Sequence, residues 1–293
     1  NKMRSQLQNR EAQPLSAFQD TLNALIYNNN PLAGYMKAAE VDNVDYARIM
    51  QIAKERFANA ADFTFIITGA FDEATMLPLV AQYIGGLPSK GKAEKAKSMD
   101  LSFAGGNIDK EFGKKMETPM AIVLYLESAK GDFNLKNDLT LEIAHQILDI
   151  IYTEEIREKE GGTYGVSTDG GYNYSFLPET QSYLQIVYQT SPEEYTRLNA
   201  RIEELLAEFA QNGPSEENIA KVKDYMHKKH QENLRENRFW SSTLKDYLKY
   251  GVDHDTDYDK VLDSITAEDI RAAIANILAE KNQTRIVMYG VTE

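Results

Sequence analysis

The sequence predicts an α+β chain in two parts: a two-layer domain over residues 96–293, preceded by residues 1–95. In the domain, a mainly antiparallel sheet carries helices on one face; the first part reads as the closing part of a homologous domain plus a linker. Three observations predict this. Apolar runs of strand length alternate with helical periodicity but without regular βαβ units or a glycine-rich phosphate loop. A lysine-rich, solvated stretch, Ser89–Ser98, divides the chain. Finally, Asp45–Gly69 and Glu268–Gly290 echo each other: acidic helix start, Ala/Ile-rich amphipathic helix, polar turn, apolar strand, closing glycine. Gly290 lies 221 positions after Gly69, a period that suits a duplicated domain and not a solenoid. The first copy lacks its opening strands, and the chain begins at Asn1, so a piece of a longer protein is expected.

The elements follow in order. Val44–Phe57 reads as a helix from the spacing of Ile49, Ile52, Ala53 and Phe57, and Phe63–Thr68 as a buried strand ended by Gly69. Asp72 is placed to cap a helix carrying Met76, Leu79, Val80 and Tyr83, which Gly85-Gly86 ends. After the linker, Met120–Leu126 is a nearly continuous apolar strand. Leu139–Arg157 is a long helix with a stripe of Ala144, Ile147, Leu148 and Ile151, closed by Gly161-Gly162. Asp169-Gly170-Gly171 has hairpin-turn chemistry between strands Tyr164–Thr168 and Tyr172–Phe176. Tyr183–Gln189 alternates Leu184, Ile186 and Tyr188 against polar residues. Ser191-Pro192-Glu193-Glu194 has the form of a capping box for a helix running to Asn212. Ser215 starts another helix towards Arg235, Thr266 caps the last one, and Arg285–Val291 is the final strand.

Composition excludes several functions. Thirty-two Lys and Arg against forty-five Asp and Glu leave a formal charge of −13, which repels phosphate backbones and anionic lipid, so no nucleic acid is expected as a partner. The chain has no cysteine, hence no disulfide, thiol nucleophile or cysteine-ligated metal. No apolar run approaches the roughly 18 residues that span a bilayer, so membrane insertion is not expected. Neither a P-loop nor a G-x-S-x-G elbow occurs.

The segment richest in possible chemistry is Arg157-Glu158-Lys159-Glu160-Gly161-Gly162-Thr163-Tyr164-Gly165-Val166. A guanidinium in the last turn of a helix and a phenol opening the next strand make a donor pair for a peptide carbonyl or a developing oxyanion. A helix-end charge and a packed strand tyrosine are the simpler account of the same residues. Glu154 and Glu155 are candidates to orient Arg157, or ordinary solvated helix residues. Of the four histidines, His145 reads as a packing residue, and His227 and His230, at i and i+3, as a solvated helix face in preference to a shared metal site; His254 has no partner motif.

Arg-Glu-Lys-x-Gly-x-x-Tyr-x-Val, following a long helix that ends Leu148-Asp149-Ile150-Ile151-Tyr152, resembles the C-terminal half of the insulinase/pitrilysin zinc peptidases, the inverzincins. Phe57–Phe65 with Gly69–Pro88, Gly213–Lys223, and Asn237-Arg238-Phe239-Trp240 resemble further stretches of that family. The resemblance implies duplicated α+β domains whose two halves close around a chamber. The other half would hold zinc on His-x-x-Glu-His, a motif missing here, and no cofactor is expected in this chain. It also implies that Arg157 and Tyr164 together hold substrate backbone and support the tetrahedral intermediate, Tyr164 as the donor to the carbonyl oxygen, with an N-terminal zinc-bearing half or a partner subunit and a peptide as the expected partners. Alone, the chain is expected to be inactive. The alternatives are a non-catalytic partner or scaffold subunit of the same fold, or an unrelated acidic binding domain. Freedom from cysteine and likeness to large bacterial peptidases lean towards the periplasm or cell envelope.

Overall fold

The computed structural model describes residues 2–95, 97–174 and 179–291. Helices α1 (Lys2–Ala12) and α2 (Pro14–Ile26) open the chain. A short 3-10 turn at Ala38–Asn43 leads to α3 (Tyr46–Arg56) and α4 (Glu73–Tyr83). Then come β1 (Asn107–Lys115), β2 (Ala121–Lys130), α5 (Leu135–Tyr152), β3 (Thr163–Asn173), β4 (Gln181–Thr190), α6 (Tyr195–Asn212), α7 (Glu216–Asn233), α8 (Asn237–Tyr250), α9 (Tyr258–Ser264), α10 (Ala267–Ala279) and β5 (Asn282–Val291). Among the described residues these strands form one sheet in the order β1-β5-β2-β4-β3. Only the β1–β5 pair is parallel; the other neighbours are antiparallel, so the expected α+β architecture holds.

The sheet's position explains β2. Val123 and Tyr125 enter the main core with α5, α6, α7, α9 and α10, while Ile122, Leu124 and Leu126 point the other way. There α2 covers them with Phe18, Leu22 and Ile26, joined by Ile286 and Met288 of β5. A central strand buried on both faces has no reason to alternate, hence its unbroken apolar run. Helices α5, α6, α7, α9 and α10 lie on one face as expected; α2, from the first part of the chain, covers the second. The backbone N–H of Ala104 donates to the Ile26 carbonyl at 2.8 Å, fixing the end of α2 beside the sheet.

Several local expectations hold. Asp72 accepts from the Thr75 N–H, and Ser215 from the Asn218 N–H, each capping its helix. Thr266 and Asp269 form a reciprocal capping box at α10, and Lys136 of α5 donates to the Asp269 carboxylate at 2.9 Å. That lysine, followed by the Thr266 N–H, holds the Asp269 carboxyl at about 2, below the usual carboxylate range.

Three expectations fail, each for a physical reason. There is no hairpin at Asp169-Gly170-Gly171: β3 runs through it, pairing Asp169 with Gln185 and Gly170 with Leu184. Glycine is needed there because α5 crosses closely. A Cβ on Gly170 would lie 3.2 Å from the Leu141 carbonyl oxygen and 3.4 Å from His145 Cβ. The far end of the expected second strand, at Phe176, lies outside the described residues.

Phe63–Thr68 is neither ladder-bonded nor buried; Phe65 is 49% exposed. A strand needs a neighbour for its N–H and C=O groups, and no described strand lies beside this one. Ile49 and Ile52 of α3, and Leu77, Leu79 and Tyr83 of α4, are exposed with it, a wide apolar surface.

The capping box at Ser191–Glu194 does not form either. Helix α6 starts at Tyr195 without a side-chain cap: the Glu194 N–H donates to the Ser191 carbonyl in a turn, and the Glu194 carboxylate binds Arg197.

Candidate functional site

The site grows from the way α5 ends. Tyr152 and Ile156 are fully buried and anchor the helix end, but after Tyr152 the chain widens into a π-helical turn, Thr153–Glu160. Such turns are rare and concentrate at functional positions. Gly161 and Gly162 follow with φ of 68° and 85°, the left-handed region that glycine enters without steric cost. This sharp exit delivers Thr163 to the start of β3, the sheet's edge strand.

Arg157 and Tyr164 therefore flank one short junction, and both face outward. The Arg157 side chain is 54% exposed, with Nε 3.5 Å from Glu158 Oε1. Tyr164 is 100% exposed, and its phenol has no hydrogen-bond partner among the described residues. No hydrogen bond or ion pair joins the two. Neither Glu154 nor Glu155 orients Arg157: Glu155 binds Lys159 at 2.6 Å and Arg201 at 3.4 Å, which hold its carboxyl below the usual range. Glu158, which the sequence reading passed over, is the arginine's neighbour.

The backbone around Tyr164 is firmly tied although its side chain is free. Thr163 Oγ1 donates to the Gln189 carbonyl at 2.7 Å and accepts from the Gly165 N–H at 3.2 Å. Thr190 Oγ1 donates to the Gly162 carbonyl at 2.5 Å. Arg197 adds a further tie, to Glu160. The ladder with β4 shifts register between Thr163 and Val166, so Tyr164 sits in an irregularity that aims its ring away from the sheet. An open pocket of about 430 Å³, lined by Met120, Gly162, Thr163, Tyr164, Gln189, Thr190 and Ser191, lies at this corner. Chemically, the corner offers one exposed cation and one exposed O–H donor on a tied backbone, groups that can donate to a carbonyl oxygen.

The histidines go elsewhere. His145 Nε2 lies 3.2 Å from Glu142 Oε2, a contact that raises its pKa even though burial opposes the charge. The ring of His227 bridges two carboxylates of α9, Nδ1 to Asp259 at 2.8 Å and Nε2 to Asp263 at 2.9 Å. Burial again opposes the charge, but the bonds to Asp263 and Asp259 raise its pKa. His230 is buried, stacked on Tyr258 with ring centres 3.8 Å apart. The solvated face expected for this pair is thus wrong: both rings join α7 to α9. His254 lies 3.7 Å from Asp246 and 3.9 Å from Asp138. Among the described residues no group of three or more His, Asp or Glu is placed to hold a metal ion.

Asp138 carries a pH signature. Burial, then repulsion from Glu142, pushes its carboxyl up to about 6. A carboxyl raised on folding binds its proton more tightly in the native state, so stability falls as pH rises from its unfolded value near 3.8 through about 6. Asp138→Asn should therefore raise the melting temperature at pH 8 and change it little at pH 4. Melting curves at the two pH values check this.

The fold is an α+β domain, and its sequence contains no His-x-x-Glu-His motif. The sequence matches the family described as the peptidase M16 inactive domain over residues 43–226, and the chain belongs to that family of zinc metallopeptidases. A curated relative, "Zinc protease PQQL-like" from Arabidopsis thaliana, is 23% identical over 246 residues, 79% of this chain and 25% of that protein. The periplasmic protease PqqL from Escherichia coli superposes with a TM-score of 0.75 at 19% identity, covering 99% of this chain and 33% of that one. A peptidase M16 inactive domain from Pseudomonas fluorescens gives a TM-score of 0.73 at 18% identity, covering 98% of this chain and 69% of that one. The chain thus spans about a quarter of the curated relative's length and a third of PqqL's. No described helix is long and apolar enough to cross a membrane.

Proposed function

We propose that this chain is the substrate-holding, non-metal part of a zinc metalloendopeptidase, with Arg157 gripping substrate backbone and Tyr164 donating to the scissile carbonyl. The observation that carries the reading is the free phenol of Tyr164, fully exposed on a backbone tied by three hydrogen bonds, beside an open pocket. Zinc in the complementary half would supply the activated water; this chain's share is to orient the peptide and to strengthen one hydrogen bond as the carbonyl oxygen gains charge. The exposed apolar surface of residues 44–87 fits the same picture, as the closing part of a domain whose remaining strands would pair with Phe63–Thr68. The boundary near residue 95 belongs to this proposal, and α2 would then cross from the first domain to cover the sheet of the second. Because PqqL is described as periplasmic, a cell-envelope location is proposed as well.

A second reading, a non-catalytic partner of a separate zinc-bearing subunit, is supported by the inactive-domain description of the family. Reassembly tests the first. The chain alone should not cleave peptides. Together with a zinc-bearing half from the same reading frame it should do so, with loss of activity on chelation. Hydrolysis by the purified chain alone, abolished by chelator, would contradict the assignment; so would a complete protein with no peptidase activity.

A further inference from the structure

Arg197, at the start of α6, lies 37 residues beyond Glu160, and nothing local in the sequence connects them. In the fold its guanidinium reaches three acceptors. Nη1 binds the Glu160 carboxylate, Nη2 approaches the Glu160 carbonyl at 3.4 Å, and Nε and Nη2 bind Glu194 Oε2 at 3.0 and 2.6 Å. The bridge clasps the exit from the π-helical turn. A Cβ on Gly162 would lie 3.3 Å from Glu194 Oε2 and 3.5 Å from Arg197 Nη2, so the glycine lets the turn sit directly against the ion cluster. Glu194 stands at the N-cap position of α6, where it makes no side-chain cap and binds Arg197. All three side chains are more than a third exposed, and such pairs contribute little to stability. Geometry is the better account of what the cluster does.

We propose that Arg197 is a positioning residue: by holding Glu160 against α6 it fixes the Gly161-Gly162 turn, and with it the relative placement of Arg157 and Tyr164 for a peptide backbone. This rests on the substrate-holding role given to those two residues above. In the complete protein, Arg197→Ala should lower kcat on a peptide substrate about tenfold, because an ångström of misplacement is enough to lose such a factor. KM should change less, and the melting temperature should stay within about 2 °C, as expected for an exposed pair. Glu160→Gln should give a fall of the same size, and combining the two should be no worse than either alone. Placed on Tyr164→Phe, Arg197→Ala should cost less than it does alone, since one of the two groups whose placement it fixes is already gone.

The outcomes separate the two levels of the argument. If Tyr164→Phe lowers kcat while Arg197→Ala does not, the positioning role is overturned and the substrate-holding role stands. A loss from Arg197→Ala that persists in full on Tyr164→Phe, or that only follows a fall in melting temperature, also overturns it. If Tyr164→Phe itself leaves kcat unchanged, both fall together.

Discussion

Tyr164→Phe in the complete, zinc-loaded protein should lower kcat by about 100- to 1000-fold while KM changes little, equivalent to about 3 kcal/mol of transition-state stabilisation. The asymmetry follows from where the phenol sits. A ground-state carbonyl is a modest acceptor, so one hydrogen bond adds little to substrate affinity; as the carbon becomes tetrahedral the oxygen takes up charge, and the same donor becomes far stronger. The change removes one oxygen from a side chain that is 100% exposed, so the fold should not notice it. Steady-state kinetics with a peptide substrate, with melting curves as control, give the answer. An unchanged kcat would make Tyr164 a surface tyrosine and nothing more.

Phe18→Ala should destabilise the chain by about 3 kcal/mol or more, the usual range for truncating a buried aromatic ring. Phe18 is 6% exposed and belongs, with Leu22 and Ile26, to the layer that α2 lays over Ile122, Leu124, Leu126, Ile286 and Met288. Its loss leaves a cavity against two central strands, whose positions are fixed by neighbours on both sides. Leu15, on the same helix but 59% exposed, provides the control: Leu15→Ala should stay within about 0.5 kcal/mol. Urea unfolding of the three proteins measures both. Equal midpoints for Phe18→Ala and the parent would mean that α2 does not cover the sheet.

Legibility in the sequence followed locality. The caps at Asp72, Ser215 and Thr266 could be read because the capping side chain and the N–H that donates to it lie three residues apart. The Leu184-Ile186-Tyr188 alternation of β4 could be read because one face is buried and the other is not. By contrast β1 escaped notice, since Asp109, Lys110, Glu111, Lys114 and Lys115 give an edge strand little apolar pattern. What stabilises it is distant: Arg285 of β5 binds Asp109 at 2.6 Å and Glu111 at 3.0 Å. The hairpin misreading at Gly170 has the same origin. A glycine demanded by a helix crossing looks, in one dimension, like a glycine demanded by a turn.

The site divided in the same way. Arg157 and Tyr164, the proposed site residues, stand out through a short motif, and both are exposed on either side of one junction. Arg197, Thr190 and Gln189 were invisible to the motif because they come to that junction from other strands and helices. A search for conserved spacing within one segment has no access to such braces; only the closing of β3 onto β4, and of the π-helical turn onto α6, creates them.

The most direct measurement is a crystal structure of the complete protein holding an uncleaved peptide. The account predicts Tyr164 Oη within about 3.2 Å of a peptide carbonyl oxygen, with the Arg157 guanidinium on the backbone of the same peptide. A bound peptide that crosses the zinc-bearing half while both side chains still point to bulk water would contradict it.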